Sequence, residues 1–339
     1  MFAAFPVSFS TSGADRFTPS AVAIVKLALL QKEAEEQRLL PYANSENSDL
    51  IDLHCHILPG VDDGAADLAV SLRMAEASAA AGVRVIACTP HILPGLHHNT
   101  GPQIRSAVAS LQRELDERNI DVRLVAGADN HLTPDFIAGL REGRLLALAD
   151  SRYVLVEPPH HVAPVRLEEF FFSLVMAGYT PILTHPERLT WIEARRGVME
   201  RLARSGVWLQ ITAGSLLGAF GRQPQYWAER LLDEGAVHII ASDAHDLERR
   251  PPDLGKGRER AAKRVGDAEA EHLVTTRPKG VLTNEPPSRL PAPRLRKATA
   301  EEPDERAHRK NEKRAQMRFG GGRTDYSLWG LPARLRNLL

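Results

Sequence analysis

The sequence predicts an α/β protein, a distorted (β/α)7 barrel flanked by N- and C-terminal extensions, and three observations carry that prediction. Short β-rich runs alternate with helical stretches across residues 49–284, several helical stretches close on a glycine, and the unit recurs seven times. Strands alternating with helices of this length argue for a parallel sheet with crossover helices. Seven units exceed a small open sheet and fit a barrel with one strand fewer than the common eight.

The expected strands are, in order, DLIDLH (49–54), VRVIACT (83–89), DVRLVAG (121–127), YVLVE (153–157), TPILTH (180–185), VWLQIT (207–212) and VHIIAS (237–242). The expected helices are AADLAVSLRMAEASAAAG, GPQIRSAVASLQRELDERN, TPDFIAGLREG, RLEEFFFSLVMAG, residues 192–205 and QYWAERLLDEG. Terminal glycines fit helix C-termini. Residues 1–48 form an N-terminal extension, with a possible helix at AVAIVKLALLQKEAEEQRLL. Residues 285–339 are expected to be a basic, largely disordered tail. Residues 286–339 carry 13 basic and 6 acidic side chains, and few branched apolar groups offset the entropy of ordering. The final DYSLWGLPARLRNLL regains apolar character and could dock on a partner or a membrane surface.

The chain has 43 basic and 43 acidic residues, so no global field draws it to nucleic acid or a membrane. No apolar run approaches the roughly 20 residues that span a bilayer. The start lacks the pattern of a secretory signal, and two cysteines, Cys55 and Cys88, exclude a disulfide framework. A cytoplasmic location is expected. Homo-oligomerisation stays open.

The chemistry lies at the strand ends. His54 closes the first strand and His56 follows on the same face, as side chains two apart do in extended chain. His91 follows the second strand, Asp129 the third, and Glu157 ends the fourth. His185 ends the fifth, and Asp243 and His245 follow the seventh. This is the end at which barrel enzymes assemble their sites. Imidazole and carboxylate without thiolate suit Mn²⁺, Fe or Zn²⁺. With Asp63 of GVDDG as a ninth ligand, the set is large enough for two or three ions. Paired ions about 3.5–4 Å apart activate water near neutral pH, so hydrolysis is the expected reaction. Arg188 in THPER and Arg250 in DLERRPP border the site, and their fork geometry matches phosphate oxygens. Arg188, Arg250 and Asp63 are the candidate catalytic residues. His97, His98, His160, His161 and His238 are expected to be loop or strand-surface residues.

The ordered segments DLHCHILPGVDDGA, CTPH, GADNHLTPD, SRYVLVE, LTHPER, ITAGSLLGAFG and IASDAHDLERRPP resemble the polymerase-and-histidinol-phosphatase (PHP) superfamily. They are most similar to its manganese-dependent bacterial protein-tyrosine phosphatases of capsule and exopolysaccharide operons. The resemblance implies a distorted (β/α)7 barrel with three metals. His54, His56, Asp129 and Asp243 would hold the first, Asp129, Glu157 and His185 the second, and Asp63, His91 and His245 the third. It places Arg188 and Arg250 at phosphate, and it implies a phosphotyrosine protein substrate, the tail of a tyrosine autokinase. Asp129 departs from the family's usual Glu by one methylene. His131 is weighed as a compensating ligand and set aside.

A thiol phosphatase is excluded, because Cys-x5-Arg is absent: Val61 and Pro94 stand where the arginine would be. Two rival readings remain, a small-molecule phosphatase or phosphodiesterase of the same superfamily, and a weakly active barrel that binds a kinase tail.

Overall fold

The computed structural model describes residues 49–293. The expectations for residues 1–48 and for the chain beyond 293 lie outside the described residues.

Among those residues ten strands form: β1 (Leu50–Cys55), β2 (Val83–Cys88), β3 (His91–Leu93), β4 (His97–His98), β5 (Arg123–Ala126), β6 (Asp129–His131), β7 (Tyr153–Glu157), β8 (Thr180–Thr184), β9 (Trp208–Thr212) and β10 (Ile239–Ala241). All seven expected strands are present. The additional β3 and β6 continue β2 and β5 past short interruptions at Thr89–Pro90 and Gly127–Ala128. The broken strands remain neighbours, with Gly127 N donating to Cys88 O at 3.1 Å and Asp129 N to Pro90 O at 3.2 Å.

The first sheet has the order β1-β2-β5 and the second β10-β9-β8-β7-β6-β3-β4. Pairing is parallel except between β3 and β4. Strand β1 also meets the chain after β10. His56 N donates to Ala244 O at 2.9 Å and Asp243 N to His54 O at 2.8 Å, beside an isolated parallel bridge between Cys55 and Ala244. The architecture is therefore α/β, a curled mixed sheet with helices along it.

Strands β1, β7, β8 and β9 are buried along their whole length, as expected of parallel strands covered on both faces. The expected helices form at Leu68–Ala80, Gly101–Glu117, Phe136–Arg141, Leu167–Met176, Arg196–Arg204 and Arg222–Asp233. The second is typical: Ile104, Val108, Leu111 and Leu115 are its buried apolar side chains, a stripe at helical spacing. Four α-helices were not anticipated: Leu254–Val265, Asp267–Glu271, Arg277–Leu282 and the short Ala213–Leu216. The first of these buries only Leu254, Gly257 and Ala261. A Cβ on Gly257 would stand 2.5 Å from Ala213 Cβ, so close backbone approach replaces an apolar stripe there.

His238 corrects an expectation. It is buried rather than on a strand surface, stacked on Trp208 with centroids 5.1 Å apart, and its Nδ1 accepts from Leu209 N at 3.2 Å. Burial pushes its pKa down to about 3.

The base of the sheet is tied by Arg277, whose side chain is fully buried. It donates to Pro291 O at 2.7 Å, His238 O at 3.2 Å and the Glu269 carboxylate at 2.7 Å. Removing one partner of a buried pair leaves the others unmet. Arg277→Ala is therefore expected to lower unfolding free energy by about 3 kcal/mol, read as a lower urea midpoint at unchanged m-value.

Candidate metal centre

The C-terminal ends of the strands bring together every residue singled out for metal binding. His54 and His56 are fully buried, with their Nε2 atoms 3.1 Å apart. Each ring is held from behind. His54 Nδ1 donates to Gln210 Oε1 of β9 at 2.9 Å, and His56 Nδ1 to Asp62 Oδ2 at 2.7 Å. An acceptor at Nδ1 fixes the tautomer and turns the Nε2 lone pair toward the centre. Two lone pairs at that separation repel unless a cation or proton lies between them. Burial drives the His54 pKa down to about 3; burial would lower that of His56 too, but Asp62 outweighs it and raises it, so in the metal-free site the proton belongs to His56.

Asp62 is a residue the sequence did not single out. Besides His56 it accepts from Gly64 N and His91 N, both at 3.0 Å, so it spans two candidate ligands. Gly64 is required where the loop turns back, because a Cβ there would lie 2.1 Å from His56 O.

Asp243 divides its carboxylate between two tasks. Oδ1 lies 3.5 Å from both His54 Nε2 and His56 Nε2. Oδ2 accepts from Arg188 Nη1 at 2.6 Å and Arg250 Nη2 at 2.5 Å. Burial would raise its pKa, but Arg250 and His54 outweigh that and hold it well below the usual range. Both guanidiniums also lie over the ring of Phe220, at 4.4 and 5.9 Å from its centroid. Asp246 Oδ1 accepts from Glu248, Arg249 and Arg250 N at 2.7, 2.6 and 3.1 Å, shaping the turn that presents Arg250. Glu187 does the same for Arg188, accepting from Thr212 N at 2.9 Å and Ser215 Oγ at 2.8 Å.

Asp63 Oδ1 lies 3.5 Å from His91 Nε2 and 3.4 Å from His245 Nε2. His245 Nδ1 donates to Asp243 O at 3.0 Å, again freeing Nε2. His185 Nε2 is 3.5 Å from Glu157 Oε1. Asp129 is buried with neither oxygen hydrogen-bonded, and His185 Nδ1 is also without a hydrogen bond. Buried polar atoms left in that state are costly unless something else meets them.

Backbone strain sits at the same place. His185 and Asp243 have φ of +33° and +52°, a left-handed conformation that costs a non-glycine residue about 1–3 kcal/mol.

Four groups of donors lie close enough to hold an ion: His56–Asp63–His91–His245, His54–His56–Asp129, His91–His131–Glu157 and Glu157–His160–His185. The orphaned carboxylate, the facing lone pairs and the imidazole–carboxylate donor set all fit divalent cations. His131 and His160 were not expected in the site. His131 lies in β6 as the register partner of Glu157, and His160 follows Glu157 by three residues in a loop. Cys55 and Cys88 are fully buried, and burial pushes both thiols well above their ordinary range, so neither offers a thiolate.

Fold and site together define a protein with a multi-donor metal centre at the carboxyl end of a curled α/β sheet. Residues 50–283 match the family described as capsular polysaccharide synthesis, CpsB/CapC, and the chain belongs to that family. It is 37% identical over 201 residues to the tyrosine-protein phosphatase YwqE of Bacillus subtilis, covering 59% of this chain and 79% of that protein. It is 27% identical over 241 residues to the tyrosine-protein phosphatase CpsB of Streptococcus pneumoniae, covering 70% and 99%. A solved chain from the work on YwqE and CpsB, described there as unique metal-dependent tyrosine phosphatases, superposes with a TM-score of 0.69 at 33% identity, covering 73% of this chain and 100% of that one.

Metal uptake should expel protons. Burial would lower the pKa of His91, but Glu157 and Asp129 beside it raise it to about 9, so the metal-free ring is protonated at neutral pH. Asp129 is also held well above the carboxylate range, by burial and then by Glu157. Metal affinity is expected to rise with pH from 6 toward 9. Calorimetric titration in buffers of different ionisation enthalpy counts the protons released; none released at pH 7 contradicts the expectation.

Proposed function

We propose that this chain is a metal-dependent phosphohydrolase that removes phosphate from tyrosine in a protein substrate. The observation that carries the reading is the convergence of Arg188 and Arg250 on one oxygen of Asp243, whose other oxygen faces the imidazole cluster. Such a border between cationic forks and metal donors suits a tetrahedral anion. The CpsB/CapC membership and the relatives described as tyrosine phosphatases support the same conclusion.

In this reading His54, His56, Asp129 and Asp243 would hold one ion, Glu157 and His185 with Asp129 a second, and Asp63, His91 and His245 a third. Mn²⁺ is the proposed metal. Bound ions would supply charge neutralisation and activation of water near neutral pH. Arg188 and Arg250 bind the phosphoryl oxygens and meet the charge that develops on them. Phe220 keeps both guanidiniums in place before substrate arrives. His245 beside it, with His91 and His56, holds Asp63 well below the usual carboxylate range, against burial, so Asp63 serves as an ionised donor rather than an acid. Without an acid there, esters whose alcohol leaves readily are favoured, and phenols, with pKa about 10, leave more readily than aliphatic alcohols. That preference supports tyrosine phosphate over a small aliphatic phosphate.

The surroundings suit a macromolecular substrate. Leu96 is 66% exposed, and Val162 and Val165 are 68% and 97% exposed. They sit in the loops that carry His97, stacked on His91, and His160. Apolar side chains exposed around a site favour contact with a polypeptide. A tyrosine kinase tail is the proposed partner. For the scaffold, a (β/α)7 barrel over residues 49–284 is supported by the β1 contacts with the chain after β10. No helix among the described residues is long and apolar enough to cross a membrane.

With Mn²⁺ added, a phosphotyrosine peptide should be turned over faster than histidinol phosphate or nucleotides. His54→Ala should abolish the activity and Cys55→Ser should retain it. Equal or better turnover of the small molecules would overturn the substrate assignment. Phe220→Ala should lower kcat/KM about tenfold, the loss of roughly 1.4 kcal/mol of cation–π support, with most of the effect in KM and recovery in Phe220→Trp.

A further inference from the structure

We propose that His131 and His160 are metal ligands at the Glu157 end of the cluster. The proposal rests on the reading of the cluster as a metal centre and is independent of the substrate.

Glu157 and His185 alone offer two side chains, fewer than the three or four protein ligands usual for such an ion. Asp129 reaches them only as a carboxylate shared with the first ion. Its carboxylate groups with His54 and His56, and among the described residues it joins no donor group with Glu157 or His185. Its Oδ2 lies 3.6 Å from His54 Nε2 and 3.5 Å from His91 Nδ1, a nitrogen that Glu157 Oε2 also approaches at 3.3 Å.

Two imidazoles stand where the missing donors belong. His160 Nε2 is 3.0 Å from Glu157 Oε1, and its ring lies 4.9 Å from that of His185. The three make one group of ligand atoms. His131 Nε2 contacts the other oxygen, Oε2, and with His91 completes a second group. Glu157 is thus approached by a different imidazole at each oxygen.

Both histidines are positioned by backbone rather than by chance rotamers. His131 is fixed opposite Glu157 by the β6–β7 register. The His160 carbonyl accepts from Thr190 N at 3.0 Å and Thr190 Oγ1 at 3.1 Å, and the preceding Pro159 carbonyl accepts from Trp191 Nε1 at 3.0 Å. These bonds fasten the His160 loop to the segment that begins at His185. Their side chains are 17% and 26% exposed, so replacing them opens no cavity in the core. An imidazole-rich set also shifts preference at this position from Mn²⁺ toward Fe²⁺, Co²⁺ or Zn²⁺.

The competing role is orientation, in which each imidazole only donates a hydrogen bond to Glu157. The full-length chain, its Ala and Asn variants at 131 and 160, and the double Ala variant would be titrated with Co²⁺. The readouts are metal per chain after dialysis and imidazole count by X-ray absorption. As ligands, each Ala change weakens one Co²⁺ equivalent by more than the ten- to hundred-fold typical of losing an orienting partner. The double variant lacks that equivalent. Asn, which keeps an N–H toward Glu157, behaves as Ala does. Wild-type affinity in the Asn variants, or full stoichiometry in the double variant, overturns the proposal. An effect at one position alone overturns the assignment of the other. Full Co²⁺ loading, with no turnover of phosphotyrosine when Mn²⁺ is supplied, overturns the functional reading and leaves this one standing.

Discussion

Among the described residues five carboxylates, Asp52, Asp129, Glu157, Glu187 and Asp243, are buried in and just beyond the strands, and buried negative charge has to be met by positive charge or hydrogen-bond donors. Much of the surrounding structure answers that requirement. Asp243 is met by two guanidiniums. Glu157 is met by imidazoles, which hold it well below its ordinary range although burial opposes them. Asp52 is met by neutral donors alone: it accepts from the backbone N–H of Ser242 at 3.0 Å and of His54 at 3.3 Å, with the Ser242 side chain beside it, and burial lifts its pKa to about 6. The Ser242 bond joins β1 to the chain after β10, so this carboxylate serves the scaffold. Asp129 is the one whose oxygens make no hydrogen bond at all, and a cation is what its position calls for.

The order of packing follows from where the strands end. Residues with alternating or continuous apolar runs commit to the sheet, and the first polar side chain past each run emerges on the same rim. Broken strands contribute to this. Pro90 cannot donate to a ladder, so β2 ends and β3 restarts at His91. The interruption at Gly127–Ala128 likewise places Asp129 as the first residue of β6, opposite His91 in register.

The seven main strands and six helices were legible because each carries its own periodic signal. The primary ligands were legible because they stand at fixed offsets from those strands. What could not be read was set by contacts between distant segments. The helix at Leu254–Val265 packs through a glycine against Ala213, which leaves no apolar stripe to detect. Gln210, Phe220 and Asp246 act on residues 156, 32 and 4 positions away, and nothing local marks them. Asp62 was overshadowed by Asp63 beside it. His131 and His160 were visible as histidines but not as neighbours of Glu157, since one depends on strand register and the other on a loop pinned by Thr190 and Trp191.

Because Arg188 and Arg250 both rest on Asp243 Oδ2, an incoming anion competes with a carboxylate for their charge. That sets a threshold of charge. A phosphate monoester carries nearly two negative charges at neutral pH and can offer each guanidinium more than the shared oxygen does. A diester carries about one and offers no such advantage. The centre can thus discriminate between the two classes without touching the second ester group, and inorganic phosphate, once released, faces the same internal competitor that eases its departure.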